Sequence, residues 1–151
     1  MTHPRTETSP AGFDVFCSAF VESAGLAFTE VTGTRVRGEI QLGPEHHTPI
    51  GAVHGGVYTT AVESAATVGA SAAIADLGQV AVGVANNTDF LRPITAGTVQ
   101  VLAEAIQQGR SQQLWQVAVT SVDNGKLIAR GQLRLANVPA TGLPNTLGKQ
   151  S

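Results

Sequence analysis

Cysteine occurs once, at Cys17, in a chain of 151 residues. An internal disulfide is therefore impossible, and Cys17, set in an apolar run, reads as a small buried hydrophobe rather than a nucleophile. Charge is scarce as well: charged residues make up 13% of the chain against 42% hydrophobic. That is little charge for a free-standing surface, so part of it is expected to lie against other copies of the chain. With 9 basic and 11 acidic residues the net charge is -2. The basic excess needed for a nucleic-acid footprint or a polybasic membrane patch is missing, although a local arginine cluster can still hold a phosphorylated small molecule.

Other chemistries are excluded by pattern. The first ten residues are polar and lack the basic-then-apolar order of a secretory signal. No window is long and unbroken enough for a transmembrane span. Gly-x-Ser-x-Gly is absent, so Ser64 and Ser71 have no nucleophile elbow. Gly55-Gly56 is not followed by the Lys-Ser/Thr pair of a phosphate-binding loop. His46, His47 and His54 are close in sequence, but no acid stands at ligand spacing and Cys17 is remote, so no metal is expected. A cytoplasmic enzyme or small-molecule-binding protein of one domain remains.

What the chain does contain is organised around residues 53–75, the longest stretch poor in charge and free of proline. It reads as a helix of about 20 residues and about 30 Å. Within it Ala61, Ala65, Val68 and Ala72 mark a face for packing, and Thr59, Glu63 and Thr67 form a polar stripe at i, i+4 spacing. Before it, Phe13, Phe16, Cys17, Phe20 and Val21 have the spacing of a short helix stopped at Gly25. Residues 35–42 alternate as a half-buried strand, with 28–32 as a hairpin partner. After the helix, strands are expected at 79–91 (interrupted by Arg92-Pro93), 98–107, 113–122 and 127–138, the last three forming an antiparallel meander. Residues 1–11 and 139–151 read as loose tails around a domain of 12–138. An antiparallel sheet needs a cover for its apolar face, and the long helix is the only element large enough. The expected class is α+β, a curled sheet around a central helix.

Glu63 is the single Asp, Glu, Lys or Arg of that helix. Helix starts carry free N–H groups and partial positive charge, and Gly55-Gly56 puts no side chain over them. A donor for a developing oxyanion and a carboxylate two turns along are complementary parts for attack on an ester or thioester carbonyl. Each also has a plainer reading: the glycines as a tight turn, Glu63 as a solvated helix residue, His54 as a capping histidine. Gly109, Arg110 and Ser111 form a turn able to present an anion site, to which Arg92 can add charge.

These residues resemble the hotdog-fold acyl-CoA thioesterases, in particular the phenylacetate-pathway (PaaI-like) and 4-hydroxybenzoyl-CoA thioesterase branch. The likeness rests on Val-His-Gly-Gly at 53–56, Glu63 eight residues after Gly55, Asn-Asn-Thr-Asp-Phe-Leu-Arg-Pro at 86–93, and Gly-Arg-Ser at 109–111. It covers about residues 13–138. The resemblance implies that Gly55 N–H polarises the carbonyl, that His54 shapes the adjoining loop, and that Glu63 acts as general base or nucleophile with Thr67 orienting water or the acid. It places Gly109, Arg110 and Ser111 against the phosphates or pantetheine of coenzyme A, which is substrate rather than cofactor. It implies sites shared between two subunits, in a homodimer further assembled into a tetramer. Thr48 departs from the pattern, for many relatives carry Asn or Gln there; a shorter hydroxyl, or another helper such as Asn87, takes that place. The rival expectation is a non-catalytic protein that binds acyl-CoA or an aromatic ligand in the same pocket.

Overall fold

The structure is a computed structural model and describes residues 18–142. A short helix α1 (Ala19–Ala24) leads into strands β1 (Ala27–Val31) and β2 (Arg35–Leu42). The long helix α2 (Gly55–Ile74) follows, then strands β3 (Gln79–Phe90), β4 (Gly97–Gln108), β5 (Gln112–Ser121) and β6 (Leu127–Pro139). The strands form one antiparallel sheet in the order β1-β2-β4-β5-β6-β3. It curls around α2, as the α+β hotdog expectation required. β4, β5 and β6 are the expected meander.

Helix α1 begins later than its apolar spacing predicts. Ser18 is extended, and its hydroxyl accepts a hydrogen bond from Val21 N–H at 3.3 Å, so it caps the helix at Ala19. Phe13, Phe16 and Cys17 lie outside the described residues, as do residues 1–11 and most of 139–151. Gly25 ends α1 with φ 80°, its N–H reaching Glu22 O. The apolar face is also narrower than expected: Ala24 is buried, but Phe20 is 70% exposed.

Small residues on the inner face of α2 let the sheet close tightly. Ala61, Val62, Ala65, Ala66 and Ala70 are fully buried. At Gly69 a Cβ would stand 2.5 Å from Trp115 Cη2, so this glycine is what admits the indole. Ala72, expected on this face, is instead exposed. It falls in the last turn of the helix, where Ile74 rather than Ala72 is the buried side chain. Trp115 is wholly buried and donates its indole N–H to Gln113 Oε1 at 3.0 Å. Gln113 in turn donates to Ala70 O, also at 3.0 Å, tying the sheet to the helix through a satisfied buried amide.

Alternation fails in two strands for different reasons. In β6, the neighbours Ile128 and Ala129 are both buried in the core, and the Ile128 carbonyl accepts from Leu91 and Arg92 N–H of the segment after β3. In β3 only Ala81 is buried, and the pairing with β6 shifts register between Gly83 and Ala85. β3 is an edge strand, and Val84 and Phe90 on it are 55% and 57% exposed.

Candidate active site

The loop before α2 is a small folded unit rather than an irregular segment. A 3₁₀ turn at Pro44–His46 is closed by Gly43 N–H donating to His46 Nδ1 at 3.2 Å. His47 bridges Val53, and Thr48 N–H reaches Ala52 O at 2.7 Å around Gly51, whose φ of 87° is left-handed. His47 Nε2 donates to Thr95 O at 2.6 Å, and Val53 N–H to Ile94 O, anchoring the loop to the segment between β3 and β4. The three histidines thus each serve the backbone separately.

This loop delivers His54 as the N-cap of α2. His54 Nδ1 accepts from Gly56 N–H at 2.8 Å, so the neutral ring carries its proton on Nε2. A side chain at Gly56 would put its Cβ 2.9 Å from that nitrogen, which explains the second glycine. Val57 N–H turns back to His54 O. Gly55 N–H is left as a donor at the positive end of α2 with no hydrogen-bond partner among the described residues. The Phe90 ring lies against Gly55: a Cβ there would sit 2.6 Å from Phe90 Cε2. Gly55, Tyr58, Phe90 and Arg92 line a cavity of about 250 Å³.

Glu63 opens on a different place. It is exposed, forms no hydrogen bond or ion pair among the described residues, and lines a groove of about 570 Å³ with Phe20, Gly56, Thr59, Thr60, Ser64 and Thr67. The polar stripe predicted along α2 is therefore the floor of one groove. Thr59 Oγ1 donates to Gly55 O at 3.2 Å, whereas Thr67 lines the Glu63 groove with no side-chain hydrogen bond among the described residues. On the sheet side Glu63 lies over Gly83 of β3; a Cβ at Gly83 would be 3.5 Å from Glu63 Oε1. Within one chain, then, Glu63 and Thr67 share a groove, Gly55 and Arg92 share another, and the two sets do not converge. Thr48 joins neither: its hydroxyl is buried and unpartnered, and the residue lines none of these spaces.

The turn 109–111 is held from β6. Asn137 donates through Nδ2 to Gly109 O and Arg110 O at 3.1 and 3.2 Å, and through its backbone N–H to Ser111 O. Gly109, Ser111 and Asn87 line a groove of about 540 Å³ on the outer face of the sheet, together with Arg134. Arg110 is exposed but does not line it. Arg134 is an exposed residue of β6 that the sequence reading did not single out for the site. Asn137 carried no signal either, because it acts through contacts remote in sequence, and Phe90 stood in the 86–93 run without its packing on Gly55 being legible.

Tyr58 stands behind this site, 3% exposed, with a hydroxyl that finds no partner. Burial pushes its pKa up to about 12. Its ring packs tilted on Phe90 at a centroid distance of 6.2 Å.

The profile of the Thioesterase superfamily matches residues 50–128, which spans α2, Gly55 and Glu63. A Mycobacterium tuberculosis protein named "Putative esterase Rv1847" is 42% identical over 134 residues, covering 87% of this chain and 94% of the relative. Its solved structure superposes with a TM-score of 0.78, covering 82% of this chain and 98% of that one. The 1,4-dihydroxy-2-naphthoyl-CoA hydrolase of Listeria monocytogenes is 30% identical over 115 residues, 76% of this chain and 92% of the relative. A thioesterase structure from Haemophilus influenzae shares the fold at TM-score 0.79 and 23% identity, covering 94% and 96% of the two chains. This chain belongs to the thioesterase superfamily and has its hotdog fold, that of a hydrolase. Among the described residues no helix is long and apolar enough to cross a membrane.

Proposed function

We propose that the protein hydrolyses acyl-CoA thioesters at sites shared between two copies of the chain. The observation that carries this reading is the position of the two candidate groups along the edge strand β3. Gly55 lies against Phe90, at the end of β3, and Glu63 lies over Gly83, near its start. Seven residues of strand separate these points, about 23 Å at ~3.3 Å per residue. Antiparallel pairing of two β3 edges about an axis near Asn86 and Asn87 sets Gly83 of one protomer beside Phe90 of the other. Glu63 of one copy then faces Gly55 of the second, twice over. The unpaired edge and the exposed Val84, Phe90 and Leu91 support such a contact. The low charge content supports further association of two dimers as a tetramer.

In this arrangement Gly55 N–H stabilises the oxyanion as the carbonyl is attacked. Glu63 either takes a proton from the water that attacks the carbonyl, or adds to the carbonyl itself to form an anhydride that water then hydrolyses, and Thr67 orients the water or the acid. The C–S bond breaks, coenzyme A leaves as the thiol with a proton gained, and the carboxylic acid is released. Each of these steps uses a carboxylate, an amide and water, with no metal or redox cofactor. Gly109, Ser111 and Asn87, with Arg110 at the turn and Arg92 beside Gly55, are assigned to the coenzyme end. A cytoplasmic setting follows from that substrate.

A second reading, a binding protein without turnover, is favoured by one observation: Thr48 stands where a longer amide is expected, and its hydroxyl is buried away from both grooves. Thiol release over a panel of short, long and aromatic acyl-CoAs decides between them. Release that is lost in Glu63→Gln supports the hydrolase; tight binding with no release across the panel supports the second reading.

A further inference from the structure

Three successive carbonyls of the turn 109–111 are turned toward one residue. Asn137 Nδ2 donates to Gly109 O and Arg110 O at 3.1 and 3.2 Å, and Asn137 N–H donates to Ser111 O at 2.9 Å. A trans peptide unit is planar, with its N–H opposite to its C=O. The carbonyls of Gly109 and Arg110 therefore set the N–H groups of Arg110 and Ser111 away from Asn137. Neither N–H has a hydrogen-bond partner among the described residues. The orientation of the Asn137 amide is itself fixed from the core. Gln113, 2% exposed, accepts at Oε1 from Trp115 Nε1 and Gln108 Nε2, both at 3.0 Å, so its Nε2 is what meets Asn137 Oδ1 at 3.0 Å. Asn137 Nδ2 is thereby left facing the turn.

We propose that Asn137 is a positioning residue for the substrate: by gathering the carbonyls of the turn, it aims the N–H groups of Arg110 and Ser111 at a phosphate of the nucleotide end. The inference rests on the assignment of that turn to coenzyme A in the acyl-CoA reading. Successive backbone N–H groups freed in a turn form a concave anion site. The charge around this one has a single sign. Arg110 is exposed and forms no ion pair among the described residues, and the adjoining groove of Gly109 and Ser111 is lined by Arg134 and by no acid. Pantetheine is uncharged and makes only neutral hydrogen bonds with such donors, whereas a phosphate oxygen makes charge-assisted ones, about twice as strong.

The test takes the acyl group released fastest in the acyl-CoA panel and measures kcat and KM for it on coenzyme A and on pantetheine, which lacks the phosphates. Wild type, Asn137→Ala and Asn137→Asp are compared. Wild type should have the lower KM for the acyl-CoA. Both variants should raise that KM about fivefold to tenfold with kcat held, and leave kcat and KM for the acyl-pantetheine unchanged. A residue needed only for folding would lower turnover of both substrates. A rise in Asn137→Asp alone is repulsion of phosphate by the new carboxylate; that result, an equal change for both substrates, or no change overturns the inference and leaves the hydrolase reading standing. If wild type does not prefer coenzyme A to pantetheine, the assignment of the turn fails and the inference with it. If wild type releases no thiol, the hydrolase reading fails, and Kd for coenzyme A itself, measured by calorimetry, takes the place of KM. Weakening by about fivefold to tenfold in both variants then upholds the role of Asn137, and equal affinity in all three, or no binding by wild type, overturns it.

Discussion

The two faces of α2 are built from equally small side chains, yet they answer to different constraints. On the inner face, Ala61, Ala65 and Gly69 are small because the sheet is close: the Trp115 ring occupies the space a methyl at Gly69 would take. On the outer face, Thr59, Ser64 and Thr67 are small and polar, and the space above them is a groove. Size on one face is set by packing density, where a single added carbon forces displacement. On the other it is set by access to Glu63. Substitutions should therefore separate: the inner face should lose stability with activity per folded molecule retained, and the outer face the reverse.

The largest effect should come from the outer face. Glu63→Gln removes the only ionisable group among the described residues of the groove with little change in side-chain volume, and should lower turnover by about 10² to 10⁴-fold. Its melting temperature should stay at the wild-type value, since Glu63 is exposed and makes no hydrogen bond or ion pair among the described residues. A matching fall in melting temperature would merge the two faces and break the comparison. Next, Gly69→Ala should destabilise by about 1–3 kcal/mol in denaturant titration, because Trp115 must move and its hydrogen bond to Gln113 with it. Activity below the transition should persist. Thr67→Val, smaller again, should reduce kcat by roughly an order of magnitude with KM held, the pattern of a group acting in the transition state.

The smallest effect sharpens the inner-face side. Tyr58→Phe removes a buried hydroxyl that has no partner, so stability at neutral pH should be unchanged or higher by about 1 kcal/mol. Its pH dependence has a definite sign. The folded state holds the phenolic proton up to about 12, whereas the unfolded chain releases it near 10. Above pH 10 the unfolded state binds fewer protons, and stability falls as pH rises toward 12. Tyr58 is the single tyrosine of the chain, so thermal unfolding at pH 8 and pH 11 should show this slope in wild type and lose its tyrosine part in Tyr58→Phe.

Much of the fold was legible because local rules applied. Gly25 ends α1 by adopting a left-handed conformation, and β2 buries Val36, Gly38, Ile40 and Leu42 as alternation required. The helix start at Gly55, with His54 as its cap, matches the reading of residues 53–75 as a helix and of His54 as a capping histidine. Legibility ended where an outcome depended on contacts between distant segments. Ala72 is exposed against its periodic pattern, Ile128 and Ala129 are buried side by side, and Phe20 faces out of an apolar helix, since the burial of each depends on contacts with segments distant in sequence. Of the candidate site, the residues could be named from the sequence, but their grouping could not. Asn87, Gly109 and Ser111 come to one groove, while Arg110 and Arg92 stay apart from it.

By itself the sequence determined what depends on a few neighbouring residues: the element types, the cap and donors at the start of α2, and Glu63 two turns along its polar stripe. Tertiary structure alone decided that Phe90 packs on Gly55, that Asn137 holds the turn 109–111, and that Glu63 lies over Gly83 at the far end of β3. The reason is physical. Periodicity and capping are short-range properties of the chain, whereas strand register and the reach of a sheet around a helix are set by the packing of the whole domain.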